Sequence, residues 1–172
     1  MKIIITGGLG FIGSSLTRKL SANKSNIIFN IDKITKASTY KSMIPKLSKS
    51  KNYNFIKADI SNHSKTIDLF NIIKPDLVIH AAAESHVDNS IKNPSKFIKS
   101  NINGTYNLLE AIRKNSLISK TLFFYISTDE VYGSLSQKGG QFYESNKFLP
   151  NSPYSASKSS SDLLVRAWNK TY

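Results

Sequence analysis

The chain has 172 residues, no cysteine and a formal net charge of +13. That length suits one domain with a sizeable core, and the missing thiols exclude disulfides and thiolate chemistry. No apolar run approaches a membrane span and the first strand starts almost at Met1, so a cytoplasmic protein with no membrane partner is expected. The charge raises nucleic-acid binding as an option. Seven lysines (Lys33, Lys36, Lys41, Lys46, Lys49, Lys51 and Lys57) fall between Asp32 and Asp59, without aromatic rings interleaved as stacking platforms. A solvated basic face that steers an anionic nucleotide is the reading, and no nucleic-acid partner is expected.

Lys2 to Thr6 is a short β-branched run of the kind buried on both faces of a parallel sheet. Gly7, Gly10 and Gly13 follow at once. Gly7 and Gly10 would let the backbone turn and approach a pyrophosphate, and Gly13 would let the next helix pack closely on the strand, with its free N–H groups facing the phosphates. Gly8, Gly10 and Gly13 also satisfy the looser G-x-G-x-x-G string. The helix should run to about Ser21 with Phe11, Ile12, Leu16 and Leu20 on its apolar side. Ile27 to Asp32 is the second strand, and it ends on a carboxylate placed to accept from ribose hydroxyls and to repel a 2′-phosphate. NAD is therefore favoured over NADP, although Lys33 could weaken that preference.

Thr35 to Ser50 is only loosely periodic (Tyr40, Met43, Ile44, Leu47) and reads as a short helix or an exposed loop. Tyr53 to Lys57 is a third strand with Asp59 and Ile60 just past its end, where Asp59 could accept from an adenine amino group or simply cap a turn. His63 to Ile73 is helical, with Ile67, Leu69, Phe70 and Ile73 on one side, and Pro75 stops it. Asp76 to His80 is the fourth strand, and Ala81, Ala82 and Ala83 behind it are small enough for a ribose or diphosphate to lie against the backbone. Asn93-Pro94 marks a helix start with a capping amide, and that helix should reach Asn115, presenting Phe97, Ile98, Ile102, Leu108, Leu109 and Ile112. Gly104 inside it implies close packing. Thr121 to Ser127 is the fifth strand; it delivers Thr128, Asp129 and Glu130 to the ligand-binding edge, and a last helix begins at Pro153.

Tyr154 and Lys158 stand one helical turn apart on a shared face. A tyrosine is a poor base at its ordinary pKa near 10. A neighbouring ammonium, with the charge of an oxidised nicotinamide, would lower it toward neutrality. Thr128 could hold the same substrate oxygen from the opposite side. The adjacent carboxyls of Asp129 and Glu130 can supply one acid and one base, provided their surroundings differ. His80 and His86 read as structural, since no third ligand is spaced to complete a metal site.

The segments TGGLGFIGS, HAAAESHVDNS, STDEVYG (Ser127 to Gly133) and SPYSASKSSSDLLVRAW (Ser152 to Trp168) resemble the extended short-chain dehydrogenase/reductases, and among them the dTDP-glucose 4,6-dehydratases. The glycine motif and Y-x-x-x-K are shared across that superfamily, whereas the T-D-E and A-E-S-H-V-D strings are closer to the dehydratase branch. The resemblance implies NAD as cofactor, a nucleotide-sugar substrate and a homodimer through the helices beginning near Pro94 and Pro153. It places Phe11, Ile12, Asp32, Thr35, Asp59, Ile60, Ala81 to Ser85 and Ser100 against NAD, and Ser85 with Thr128 against substrate. Tyr154, aided by Lys158 and Thr128, would deprotonate the hexose 4-hydroxyl, Glu130 would take the C5 proton and Asp129 would protonate the departing 6-hydroxyl. Asn89 stands where the family often has arginine, and Lys36 where tyrosine is common. The family continues for roughly as many residues again, so the resemblance marks this as an N-terminal portion, with the last strands and the substrate domain lying beyond Tyr172. Alternatives are another sugar-nucleotide epimerase or decarboxylase, which usually lack the Asp-Glu pair, and a nucleotide-binding module without turnover. The expected fold is an α/β, Rossmann-type doubly wound parallel sheet of at least five strands in the order 3-2-1-4-5.

Overall fold

The computed structural model describes residues 1–35, 38, 47, 49–135 and 139–172. The expectation of a short helix or loop around Tyr40, Met43 and Ile44, and the departure at Lys36, lie outside the described residues. Five strands form one sheet in the order β3-β2-β1-β4-β5: β1 Lys2–Thr6, β2 Ile27–Asp32, β3 Tyr53–Lys57, β4 Leu77–His80 and β5 Leu122–Tyr125. Every pairing is parallel. The order and the parallel sense follow from right-handed crossovers wound in both directions from β1.

Successive side chains of a strand point to opposite faces, and both faces of β1 are covered. Ile3 and Ile5 join Ile28, Tyr53 and Ile79, with Leu16 and Leu20 against them. Ile4 joins Ile31, Val78, Phe70, Leu108 and Ile112 on the other side. The first face carries α1 (Phe11–Ala22). The second carries α2 (His63–Ile73) and the helix α4, which runs as an α-helical turn Pro94–Phe97, a π-helical stretch Ile98–Asn103 and an α-helix Gly104–Lys114. A short α3 (Val87–Lys92), not foreseen in the sequence, precedes α4, and α5 (Pro153–Thr171) packs on the α3 and α4 side.

Three sequence expectations need correction. The buried face of α1 is small and polar (Gly13, Ser14, Thr17, Ser21), while Phe11 and Ile12 are 93% and 52% exposed. The helix lies too close to the sheet for large side chains at those inner positions. Asn93 makes no capping bond to the backbone; its amide oxygen accepts instead from the Ser95 hydroxyl at 2.7 Å. The π-helical stretch in α4 shifts the register of its apolar stripe, so Ile98 is exposed although Phe97, Leu108, Leu109 and Ile112 are buried. Gly104 does mark a close approach, since a Cβ there would lie 2.8 Å from Ile60 Cδ1. Among the described residues no helix is long and apolar enough to cross a membrane.

The register brings Ile31, Thr6, His80 and Tyr125 into one row across β2, β1, β4 and β5. The residues that follow that row form the carboxyl edge of the sheet, where parallel α/β folds bind ligands.

Candidate active site

β1 ends in a turn that only glycine makes without strain. Gly7 has φ +69°, and a Cβ on it would sit 2.6 Å from the backbone N and Cα of Ala82. The turn closes through Gly7 N–H donating to the Ile31 carbonyl at 2.9 Å and Gly10 N–H donating to the Gly7 carbonyl at 2.9 Å. A Cβ on Gly13 would run into that same Gly7 carbonyl, so the first turn of α1 rests directly on the loop. No acidic side chain stands in that first turn, so its free N–H groups remain suited to an anion. Asp32 ties the far side together: Leu9 N–H donates to one carboxylate oxygen at 3.0 Å and Ile34 N–H to the other at 2.8 Å.

The loop opens on a cavity of about 400 Å³ along the carboxyl edge. Gly7, Gly10, Phe11, Ile12, Gly13, Asp32, Lys33, Thr35, Asp59, Ile60, Ala81, Ala82, Ala83, Ser85, Ser100, Tyr154 and Lys158 all line it, and sequence reasoning had singled out each of these. It missed Ile31, Ala58, Ile126 and Ser127, which join the lining because they lie at or beside strand ends, and Ser38, in the segment after β2. Asp59 is both a turn residue and a cavity residue, its Oδ1 accepting from Ser61 N–H at 2.9 Å. Burial pushes its carboxyl up, but the bonds from Ser61 and the charges of Lys33 and Lys99 outweigh burial and leave it below the ordinary value. Lys33 is not free to meet a 2′-phosphate, because its ammonium pairs with Glu84 at 2.7 Å.

A second hollow of about 380 Å³ adjoins the first at Ser127 and is lined by Thr128, Asp129, Tyr132, Tyr143, Glu144 and Asp162, among others. Thr128 caps a 3₁₀ turn, Asp129–Tyr132, its hydroxyl accepting from Glu130 N–H at 3.3 Å. This turn, unforeseen in the sequence, carries both carboxyls: Asp129 lines the second hollow, whereas Glu130 lines neither. Tyr154 lines the first of these hollows from the first turn of α5, where Ser152 and Ser155 form a reciprocal capping box behind Pro153. It is 8% exposed and packs edge-on against Phe97.

The ionisation of Tyr154 departs from the part of the sequence expectation that rested on Lys158. Burial raises its pKa, the nearby Thr128 hydroxyl partly offsets that, and the carboxylates of Glu130 and Asp129 push it further up. Lys158 does not pull it down, because the ammonium is drawn elsewhere. It donates to the Ile126 carbonyl at 2.6 Å and lies 4.2 Å from the centre of the Tyr125 ring. Burial lowers Lys158 to about 8, with Asp162 one turn further along the helix opposing. Asp162 was not picked out in the sequence, although the spacing 154, 158, 162 would have found it.

Comparison with known proteins bears on this arrangement. The family profile described as GDP-mannose 4,6 dehydratase matches residues 4–172. The chain belongs to that family. It is 46% identical over 186 residues to the dTDP-glucose 4,6-dehydratase of Salmonella typhimurium, covering all of this chain and 51% of the relative. With the dTDP-glucose 4,6-dehydratase 1 of Escherichia coli it shares 45% identity over 190 residues, again 51% of the relative. The chain thus spans about half the length of the curated relatives it matches. Among solved structures, the Streptomyces venezuelae dTDP-glucose 4,6-dehydratase with NAD bound superposes with a TM-score of 0.89 at 36% identity, over 100% of this chain and 52% of that one. A Campylobacter jejuni UDP-Glc/GlcNAc 4-epimerase superposes nearly as well, with a TM-score of 0.87 at 30% identity over 98% and 49%. The family's fold is therefore common to dehydratases and epimerases, and the side chains around Tyr154 have to separate them.

Proposed function

We propose that this chain supplies the cofactor and catalytic half of an NAD-dependent 4,6-dehydratase that converts a nucleoside-diphosphate hexose, dTDP-glucose, to its 4-keto-6-deoxy product. The observation that carries the reading is that one buried phenol, Tyr154, feels Thr128, Glu130 and Asp129 together while Lys158 on the same helix faces the adjoining cavity. An epimerase has no use for the two carboxyls, which favours the dehydratase over its epimerase neighbours.

The cavity fits a dinucleotide. A tight glycine turn exposes the N-terminus of α1, Asp32 lines the cavity with the neighbouring Lys33 paired to Glu84, and the small side chains of three alanines line it further along. Bound NAD would supply the hydride acceptor at C4 of the sugar and the donor at C6. Tyr154 takes the 4-hydroxyl proton, with Thr128 holding the same oxygen. Since burial and two carboxylates hold the phenol up, the positive charge that acidifies it must arrive with the ligand, and Lys158 serves as a fixed cation behind it. The proton taken from the 4-hydroxyl passes from Tyr154 through the Thr128 hydroxyl, which donates to Asp129 at 3.4 Å, so that Asp129 becomes the acid. The 4-ketone acidifies C5, Glu130 removes that proton, and Asp129 hands the proton it received to the C6 oxygen, which leaves as water. The hydride returning to C6 and the Glu130 proton returning to C5 complete the exchange, so every residue ends as it began without a second substrate.

A homodimer through α4 and α5 goes with this reading, supported by the exposure of Ile98, Tyr106 and Leu163 on those helices; the cytoplasm is the compartment that fits NAD and nucleotide sugars. The test is to incubate the product of the complete gene separately with dTDP-glucose, GDP-mannose and CDP-glucose. Keto-sugar from dTDP-glucose is expected, and no product from any of the three would remove the dehydratase assignment.

A further inference from the structure

His80 is 1% exposed at the end of β4, and the reaction outlined above does not use it. We infer that His80, as the neutral Nε2–H tautomer, is a positioning residue that ties the cofactor edge of the sheet, through α4, to the helix α5 that carries Tyr154 and Lys158.

The proton directions follow from the bonds. Thr105 Oγ1 lies 2.6 Å from the Asn101 carbonyl, which can only accept, so the Thr105 hydroxyl proton is used there. At 2.9 Å from His80 Nε2 the same oxygen can then only accept, and Nε2 carries the hydrogen. On the other side of the ring Nδ1 lies 2.7 Å from Thr6 Oγ1, whose hydroxyl donates to it. The Thr6 oxygen in turn accepts from Ala82 N–H at 3.3 Å. The ring's partners are thus two hydroxyls, with the rings of Phe123 and Tyr125 beside it, and the charge that bears on it is the Lys158 ammonium. Nothing in that set favours an imidazolium.

What the chain of bonds holds is the π-helical turn of α4. The Asn101 carbonyl also accepts from Ser161 of α5 at 2.9 Å. Its side chain grips the backbone of Glu84 on both sides, at 2.8 and 2.9 Å, and donates to Ser157 at 2.8 Å; Ser157 then donates to the Tyr154 carbonyl at 2.7 Å. One path therefore runs from Thr6, just before the glycine turn, through His80, Thr105 and Asn101 to the backbone of Tyr154. A ring that accepts at one end and donates at the other sets the spacing between cavity floor and phenol, and buried networks of this kind are rigid only when every member is satisfied.

The catalytic consequence rests on the dehydratase reading, whereas the tautomer does not. In the product of the complete gene, ring ¹⁵N shifts should show the Nε2–H form unchanged from about pH 5.5 to about pH 8. His80→Phe, which fills the space but neither accepts nor donates, should keep NAD bound and KM within about twofold while kcat falls about tenfold or more. His80→Gln, with one acceptor and one donor, should recover part of that loss, which a purely space-filling role would not give. If His80→Phe does not fold, Thr105→Val, which breaks the path one step later, should show the same split. An Nδ1–H tautomer, a ring that protonates near its ordinary value, or kcat within about twofold of wild type in the folded variant overturns the inference. A wild-type protein that converts no nucleotide sugar counts against the dehydratase reading alone, and the tautomer then decides the claim for His80.

Discussion

Acidification from about pH 7.5 to about pH 5 takes His80 of the unfolded chain through its ordinary pKa of 6.5, whereas in the folded chain burial, with the Lys158 charge added, holds it down to about 3. Over that window the unfolded state binds a proton that the folded state refuses, so stability falls as the pH falls. The loss approaches about 1.4 kcal/mol per pH unit once the pH is below the unfolded value, which gives about 2 kcal/mol by pH 5, or about 4 to 8 °C in Tm for a chain of this size. Other groups do little in the same window. Lys158, lowered to about 8, stays largely protonated in both states and adds only a few tenths of a kcal/mol in the same direction. Asp59 and Glu110 are held below their ordinary values of 3.8 and 4.5, so what they contribute is lost mainly at lower pH still. Urea unfolding followed through Trp168, which donates to Glu110 at 3.3 Å in the folded chain, reads the effect at the two pH values. His80→Gln, which cannot titrate, should lose about 2 kcal/mol less than wild type between them. An equal loss in both proteins would refute the claim that His80 is buried neutral.

Three further outcomes follow from the site. Asp32→Asn should weaken NAD binding measured by calorimetry and narrow the preference over NADP, while Lys33→Ala should leave that preference within about twofold, because the Lys33 charge is already paired with Glu84. Glu130→Gln should lower turnover about 10²-fold or more and let reduced nicotinamide accumulate by absorbance, since oxidation at C4 precedes removal of the C5 proton. Ser152→Ala removes the acceptor for Ser155 N–H at 3.0 Å and should cost about 1 kcal/mol in urea unfolding.

The residues legible in sequence were those whose role is set by the backbone near them. The first three strands and α2 sit where β-branched runs and the apolar period placed them, and β4 and β5 only start or end a residue or two inside the expected bounds. Strand ends deliver their next residues to the carboxyl edge by topology alone, which placed Asp32, Asp59 and the three alanines, whereas Phe11, Ile12, Thr35, Ile60, Ser85 and Ser100 came from the family resemblance. What stayed hidden depends on a bond to somewhere distant. The π-helical turn at Ile98–Asn103 has nothing unusual in its own composition; its redirected carbonyl at Asn101 is held by Ser161, on another helix. The exposed Phe11 is a tertiary effect too, set by how closely α1 lies on the glycine turn.

Tyr154 shows the same division inside the catalytic group. Spacing correctly put Lys158 one turn away on a shared face, and the expected acidic phenol rested on that ammonium together with the charge of an oxidised nicotinamide. The fold then gives the ammonium a better partner, the Ile126 carbonyl at 2.6 Å and the face of Tyr125, while two carboxylates from the β5 end act on the phenol instead. The phenol is therefore held above its ordinary value by groups other than Lys158, and the part of the expectation that rested on the charge of an oxidised cofactor stands as the part that would lower it. In the proposed reaction a base that needs an oxidised cofactor beside it would not strip a sugar that has nowhere to send its hydride, which would couple proton removal to hydride transfer.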